Sequence, residues 1–411
     1  MANRNLQSIF RQCFSEYSSV ENNLFINNRL FHNVKITETN AQDKKSFSNA
    51  SVEYIVGEGL PCYWLWTKAF EEITESYCGE NKGTLRECII ALFEFLQDEN
   101  NSSQLLKVKK ATTVAEIQAI LSHHLFAPLV SSGSYINDEQ FPDHLKKCPA
   151  CGENLELGDT SFGNYKVWHG HPDIAIDRCL VKIGTENDEC VEDTDIFEYE
   201  LTDPVSKKIK IEDDARETGG CDEGSELKGY NESLMSKNNE VENTLDQVFA
   251  QTITNAFYQA KDNPELQNLF IPSFLATDEK VQILMYNADN DRMLKSQDME
   301  LFSDISDNGL NNGTVICIWF ALNFMDFQQK ELENEFEAIR FEKSGFQEKL
   351  RDEILSIYQS ELVRPLPMND SEKECRNVKG TAYHLWNSDH TRRMKERLDT
   401  LDEKYWTKSH H

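Results

Sequence analysis

Apolar residues between positions 60 and 130 recur at about 3.6-residue spacing, in the sets Leu65, Ala69, Ile73, Tyr77; Cys88, Leu92, Phe95; and Val114, Ile117, Ile120, Leu121. This is the period of amphipathic helices packed on one side. Thr113 with Glu116 three residues on reads as a capping box opening the last of them. The period then drops to two. Asp173-Ile-Ala-Ile176 and Cys179-Leu-Val-Lys182-Ile183 flank Asp177-Arg178, which predicts a β-hairpin with a two-residue turn. Its ladder sets 176 against 179, 175 against 180, 174 against 181 and 173 against 182. Ile174, Ile176, Cys179 and Val181 then share one face, and Asp173, Ala175, Leu180 and Lys182 the other.

Further on, Leu245–Ala260 reads as a strong helix ending before Asp262-Asn263-Pro264. Ile271–Ala276 reads as a strand, and Lys280–Tyr286 with Arg292–Lys295 as a hairpin around 288–291. The run 314–327 is almost wholly apolar and predicts a buried helix. A long charged helix or helix pair is expected over 326–362, with Leu332, Phe336 and Ile339 at core spacing, and a last helix over 389–406. Helices, a hairpin, a helix and more strands make a mixed α/β fold.

Composition alters this picture at both ends and in one internal segment. Residues 1–55 are polar and Asn/Ser-rich, and predict a poorly structured segment with one short helix near Leu6–Tyr17. Residues 56–140 form a helical region, 141–325 the α/β core, and 326–411 a charged helical C-terminal region. Inside the core, 185–244 holds 19 acidic and 6 basic residues, −13 of the chain's −29. It reads as a solvated, disordered insertion. Two pieces stand apart within it: Ile196–Leu201 alternates like a strand, and Ile209-Lys-Ile-Glu212 resembles a site for small-modifier conjugation.

With 411 residues, 39% of them hydrophobic, and 23 Phe and 6 Trp, the chain can fill a sizeable core. A net charge of −29 repels polyanions from the surface as a whole. A nucleic-acid contact would therefore need a local basic or metal-neutralised site. Eleven scattered cysteines do not resemble a disulfide framework, no secretory signal opens the sequence, and the longest apolar run falls short of a bilayer span. These features predict a soluble intracellular protein, cytoplasmic or nuclear, without a membrane partner.

The chemistry centres on Asp173 and Lys182. The bland reading is a cross-strand ion pair at a sheet edge; the sharper one is a metal-binding acid beside a phosphate-facing lysine. Trp168-His169-Gly170, Pro172-Asp173, the acidic gap, and the helix carrying Gln247 and Gln251 resemble the PD-(D/E)xK nuclease superfamily over roughly 165–325. The resemblance implies a restriction-endonuclease-like mixed sheet flanked by helices, with an α-β-β-β-α-β core. It also implies Mg²⁺ held by Asp173 and a second acid, a lysine that positions or deprotonates the attacking water, and roles for His169, Gln247 and Gln251.

The sequence departs from that pattern at the second acid. On the hairpin reading the triplet is Leu180-Val181-Lys182; counting back from Gln247 instead gives a strand ending at Lys237. Both keep a lysine and lose the acid. Glu240 and Glu242 supply acids without a lysine, as do Glu198 and Glu200, and Glu232 is a further substitute. Two functions are thus expected: a metal-dependent nuclease with a degenerate motif, or an inactive nuclease-fold module that binds protein partners through its acidic insertion and C-terminal helices.

A second motif, Cys148-Pro149-Ala150-Cys151-Gly152, reads as a knuckle for half of a structural Zn²⁺ site. His144 and His171 are the foremost candidates to complete it, with His169, Cys179 and Cys190 as further options. His123-His124, in an apolar helix end, reads simply as a helix cap.

Overall fold

The computed structural model describes residues 30–61, 84–140, 145–184, 228–304, 309–328 and 342–367. The expected elements at Leu6–Tyr17, Leu65–Tyr77, Ile196–Leu201, 206–213 and 389–406 lie outside these residues, as do Leu332, Phe336 and Ile339.

The strands are β1 (Leu30–Thr39), β2 (Val52–Pro61), β3 (Tyr135–Asp138), β4 (Leu157–Gly158), β5 (Phe162–Gly163), β6 (His169–Gly170), β7 (Ile174–Ile176), β8 (Cys179–Ile183), β9 (Ile271–Ala276), β10 (Lys280–Asn287), β11 (Arg292–Ser296) and β12 (Met299–Glu300). The main helices are α1 (Thr84–Gln97), α2 (Glu99–Leu105), α3 (Val114–Leu121), α4 (Lys228–Asp262), α5 (Asn312–Leu322) and α6 (Asp352–Ser360). The described fold is mixed α/β: a ten-stranded mixed sheet in the order β2-β1-β11-β10-β9-β8-β7-β3-β4, with β12 on β10, flanked by helices. Residues 187–242 form a separate unit, of which only the helical backbone from Lys228 is described. No helix among the described residues is long and apolar enough to cross a membrane.

The hairpin has the register its pattern predicts: Ile174 faces Val181, Ala175 faces Leu180 and Ile176 faces Cys179. Asp177 takes the positive φ, 47°, that so short a turn demands. β7 and β8 are interior strands, not an edge, because β3 pairs with β7 on one side and β9 runs parallel to β8 on the other. All six residues of β9 are buried. A strand covered on both faces selects a continuous apolar run, which is why Ile271–Ala276 stands out in the sequence.

The two faces of the sheet meet different layers. On the Ile174/Val181 face, the Cys179 thiol points to the Ala321 carbonyl of α5, and Phe126 packs on Phe274 with ring centroids 5.4 Å apart. On the Asp173/Leu180 face, α4 lays Phe257 against Tyr286 at 5.9 Å. Asn255 of α4 also donates from Nδ2 to the Arg178 carbonyl at the hairpin turn, 2.9 Å away. Burying each such ring contributes about 1.5–3 kcal/mol, so the hairpin is clamped between two apolar layers.

Three expectations change. Residues 30–61 are not poorly structured but form the β1–β2 hairpin, with Phe31, Val34, Ile36 and Val52 buried. Register shifts at His32/Val34 and Ile36/Glu38 interrupt its alternation, and a bulge of this kind moves the side chains beyond it to the other face. Helix α4 starts at Lys228, well inside the acidic segment expected to be disordered. The 314–327 helix begins at Asn312, capped by Asn311, and breaks at Asn323, whose Nδ2 donates to the Leu129 carbonyl. Of the helix pair expected over 326–362, the described residues contain a turn at Phe346–Lys349 and α6.

The predicted capping box is present: Thr113 Oγ1 accepts from Glu116 N at 3.2 Å, and Glu116 Oε2 accepts from Thr113 N at 3.3 Å. The bonds its carboxyl accepts from Thr112 N–H, Thr112 Oγ1 and Thr113 N–H hold Glu116 below its ordinary pKa, with the Thr112 backbone N–H contributing most. Thr113→Ala should cost about 1 kcal/mol in urea unfolding while Thr113→Ser stays near wild type; equal stability of all three would remove the cap from the account.

Candidate functional site

Asp173 precedes β7 and caps the end of β8. Its Oδ2 accepts from the Ile183 backbone N–H at 2.7 Å, adding a side-chain rung where the main-chain ladder ends. Lys182 Nζ lies 3.2 Å from Oδ1 and 3.1 Å from Oδ2, and the two side chains are only 18% and 6% exposed. The ion pair read from the sequence is therefore formed, in the sheet interior.

A second acid stands on the other side of Asp173. The β3–β7 ladder pairs Ile136 with Ala175 and Asn137 with Ile174, and Asp138 N continues it by donating to the Asp173 carbonyl at 2.9 Å. Directly opposed residues of an antiparallel pair share a face, with Cβ atoms on the order of 5 Å apart. Asp138, Asp173 and Lys182 thus form one row across β3, β7 and β8. Asp138 is 5% exposed.

His171 closes the outer side of this row. Its Nδ1 lies 3.3 Å from Asp138 Oδ1 and 3.8 Å from Asp159 Oδ1, and it is 29% exposed. From α3, Gln118 Nε2 donates to the Asp173 carbonyl at 2.6 Å, and Thr160 Oγ1 donates to the Pro172 carbonyl at 2.7 Å. The Pro-Asp step is thereby fixed from both sides. Two carboxylates, an ammonium and an imidazole in one row can hold a hard cation and balance the charge of a phosphate beside it.

The other sequence candidates fall elsewhere. Lys237, Glu240 and Glu242 lie on the helical backbone of α4, as does Glu232, so the third-strand reading that used them does not hold; an insertion of unknown length had made counting back from Gln247 unsafe. Leu180, at the triplet position where an acid was sought, is 1% exposed. His169 is on β6, paired with β5 outside the main sheet; its Nδ1 meets the Val167 carbonyl at 2.9 Å and its ring lies 4.9 Å from that of Tyr165. Its neighbour His171 is the imidazole beside the acids. Gln247 is half-buried. Gln251 is 1% exposed, one turn before Asn255, and neither amide atom has a hydrogen-bond partner among the described residues.

The knuckle is folded as its motif predicts. Gly152 N donates to the Cys148 carbonyl and Cys148 N to the Glu153 carbonyl, both at 2.8 Å, with Gly152 at φ 83°. His144 lies outside the described residues, and His171 sits with the carboxylates instead. The imidazoles beside the knuckle are His123 and His124: ligand atoms of these two and of Cys151 all lie within 4.8 Å of one another. They are on a π-turn, Ser122–Phe126, after α3, so the expectation that they merely cap a helix is incomplete. Burial pushes the His124 imidazole down to about 4, with His123 and Lys107 adding to the shift.

Neither Asp138 nor Gln118 stands out in the sequence, and His123-His124 stands out there only as a helix cap. No protein-family model matches the chain, and no curated protein or solved structure matches it.

Proposed function

We propose that the chain is a metal-dependent phosphodiesterase of the PD-(D/E)xK kind acting on nucleic acid, with Asp138 in place of the acid missing from the third strand. The observation that carries this reading is the row Asp138–Asp173–Lys182. Setting aside the two-residue strands β4, β5 and β6 between β3 and β7, the succession α3, β3, β7, β8, α4, β9 supports it, with Pro172-Asp173 opening the second strand, Lys182 on the third, and β9 parallel to β8. With those short strands set aside, the order is compatible with the α-β-β-β-α-β core the resemblance implies.

Oxygens of Asp138 and Asp173 would hold Mg²⁺, a cation that needs only one or two protein carboxylates alongside water and substrate phosphate. When bound, such an ion lowers the pKa of a coordinated water and offsets charge on the pentacovalent phosphorane. Lys182 adds a fixed positive charge at the end of the row. Ile183 N–H and Gln118 hold the Asp173 carboxylate and main chain in place.

A second reading is favoured by Leu180 and by the two bonded oxygens of Asp173: a nuclease-fold module without catalysis, whose acidic insertion and C-terminal segment meet protein partners. The two separate in one experiment on the full chain, using single- and double-stranded DNA and RNA with Mg²⁺ or Mn²⁺. The nuclease reading expects metal-dependent cleavage that falls roughly 100-fold or more in Asp138→Asn with the fold intact, the loss of several kcal/mol of metal-assisted stabilisation. Absence of cleavage by the wild type, or an unchanged Asp138→Asn, overturns it in favour of the binding module.

A further inference from the structure

The geometry points to a zinc centre, separate from the carboxylate row, formed by His123, His124, Cys148 and Cys151. The ligand atoms of His123, His124 and Cys151 already lie within 4.8 Å of one another. Cys148 is the adjacent knuckle thiol, buried at the turn where Gly152 N donates to its carbonyl at 2.8 Å. Neither thiol is in a disulfide.

The imidazoles are oriented from behind. His124 Nδ1 meets Asn101 Oδ1 at 2.8 Å, and His123 Nδ1 meets Tyr135 Oη at 2.9 Å. Each bond holds one ring nitrogen and leaves Nε2 for the cluster, as outer-shell partners of metal-bound histidines do. His124 is 5% exposed, yet its Nε2 has no hydrogen-bond partner among the described residues. Burying such an acceptor unmet costs about 1–3 kcal/mol, and a cation removes that cost. His123 Nε2 lies 3.3 Å from Glu153 Oε2, a carboxylate 72% exposed that solvent can take over without strain.

The backbone explains how two consecutive histidines serve one ion. On the π-turn Ser122–Phe126, residues per turn exceed those of an α-helix, so successive side chains diverge less. The rings stand edge to face with centroids 4.8 Å apart. Two thiolates and two imidazoles neutralise a divalent charge and suit Zn²⁺ in a tetrahedron, rather than a hard, oxygen-seeking cation. The ion would join the end of α3 to the knuckle and, through Tyr135, to the start of β3, the strand that carries Asp138.

The test is metal content of the full chain after reconstitution with Zn²⁺ and removal of free metal, whether or not the protein cleaves anything. About one zinc per chain is expected, with less than a tenth of that in Cys151→Ser and in His124→Ala, and the wild-type amount in His171→Ala. Co²⁺ in the wild type should give tetrahedral d–d bands with thiolate-to-cobalt charge transfer, which weakens in Cys148→Ser. Should the variants fail to fold, the wild-type Co²⁺ spectrum decides: absence of thiolate charge transfer overturns the proposal. So do a wild type that retains no zinc and a Cys151→Ser/His124→Ala chain that retains it fully. Loss of zinc only in His171→Ala would move the ion to the carboxylate row and overturn this ligand set.

Discussion

Asp173→Ala should unfold about 3 kcal/mol more easily than the wild type in urea, because it removes one partner of a buried pair and leaves the other charged. Lys182 Nζ has Asp173 within 3.2 Å, and its side chain is 18% exposed. The same change leaves the Ile183 N–H without its 2.7 Å acceptor. Asp173→Asn keeps an oxygen for both Ile183 N–H and Lys182 and should cost less, about 1.5–2 kcal/mol, the lower part of the range for a lost bond to a charged group. Asp173→Ala/Lys182→Met should recover most of the loss, since it removes the buried charge itself. An alanine variant within about 1 kcal/mol of wild type would show that water reaches Lys182 freely. The asparagine variant separates structure from chemistry. If it is folded and its metal-dependent cleavage is reduced ~100-fold, the charge is used on substrate or ion; if it is folded and equally active, Asp173 only ends a strand.

How far the sequence carried depends on how each element is buried. The β7–β8 hairpin was legible to the residue because its turn has only two positions and its apolar set fixes the register. Strands β9, β10 and β11 were legible as apolar runs between turn residues. β1 was not, since its two bulges cancel the alternation that would announce it. β3 escaped for a different reason: four residues, three of them buried, carry no period at all. With β3 unread, its last residue, Asp138, could not be set beside Asp173, and two acids the sequence offered near the second half of the motif, Glu240 and Glu242, lie in a helix. The Cys148–Cys151 knuckle was read locally, but the imidazoles of His123 and His124 beside it lie on another element more than twenty residues upstream, and only the tertiary fold brings such groups together.

Trp168→Ala should be the most disruptive change in the stretch that carries the resemblance, costing about 4 kcal/mol in urea unfolding without touching the carboxylate row. The indole is fully buried, lies 5.7 Å from the Phe346 ring at 22°, and donates from Nε1 to Asn40 Oδ1 at 2.9 Å. It thereby joins three distant parts of the chain: the turn after β1, the β5–β6 pair and the turn before α6. Trp168→Phe keeps most of the ring. It leaves Asn40 Oδ1 still accepting the Ser51 N–H at 3.0 Å, so its cost should stay near 1–2 kcal/mol. Gly163 marks the same packing from the other side: at φ 115°, an added Cβ would meet the Trp168 carbonyl oxygen at 2.5 Å. If Trp168→Ala costs under about 1 kcal/mol, the pocket collapses around the gap and the packing argument fails. If the expected loss is found, and Trp168→Phe cleaves as the wild type does, then Trp168 belongs to the scaffold. The proposed chemistry would then be confined to His171, Asp173 and Lys182, with Asp138 across the ladder.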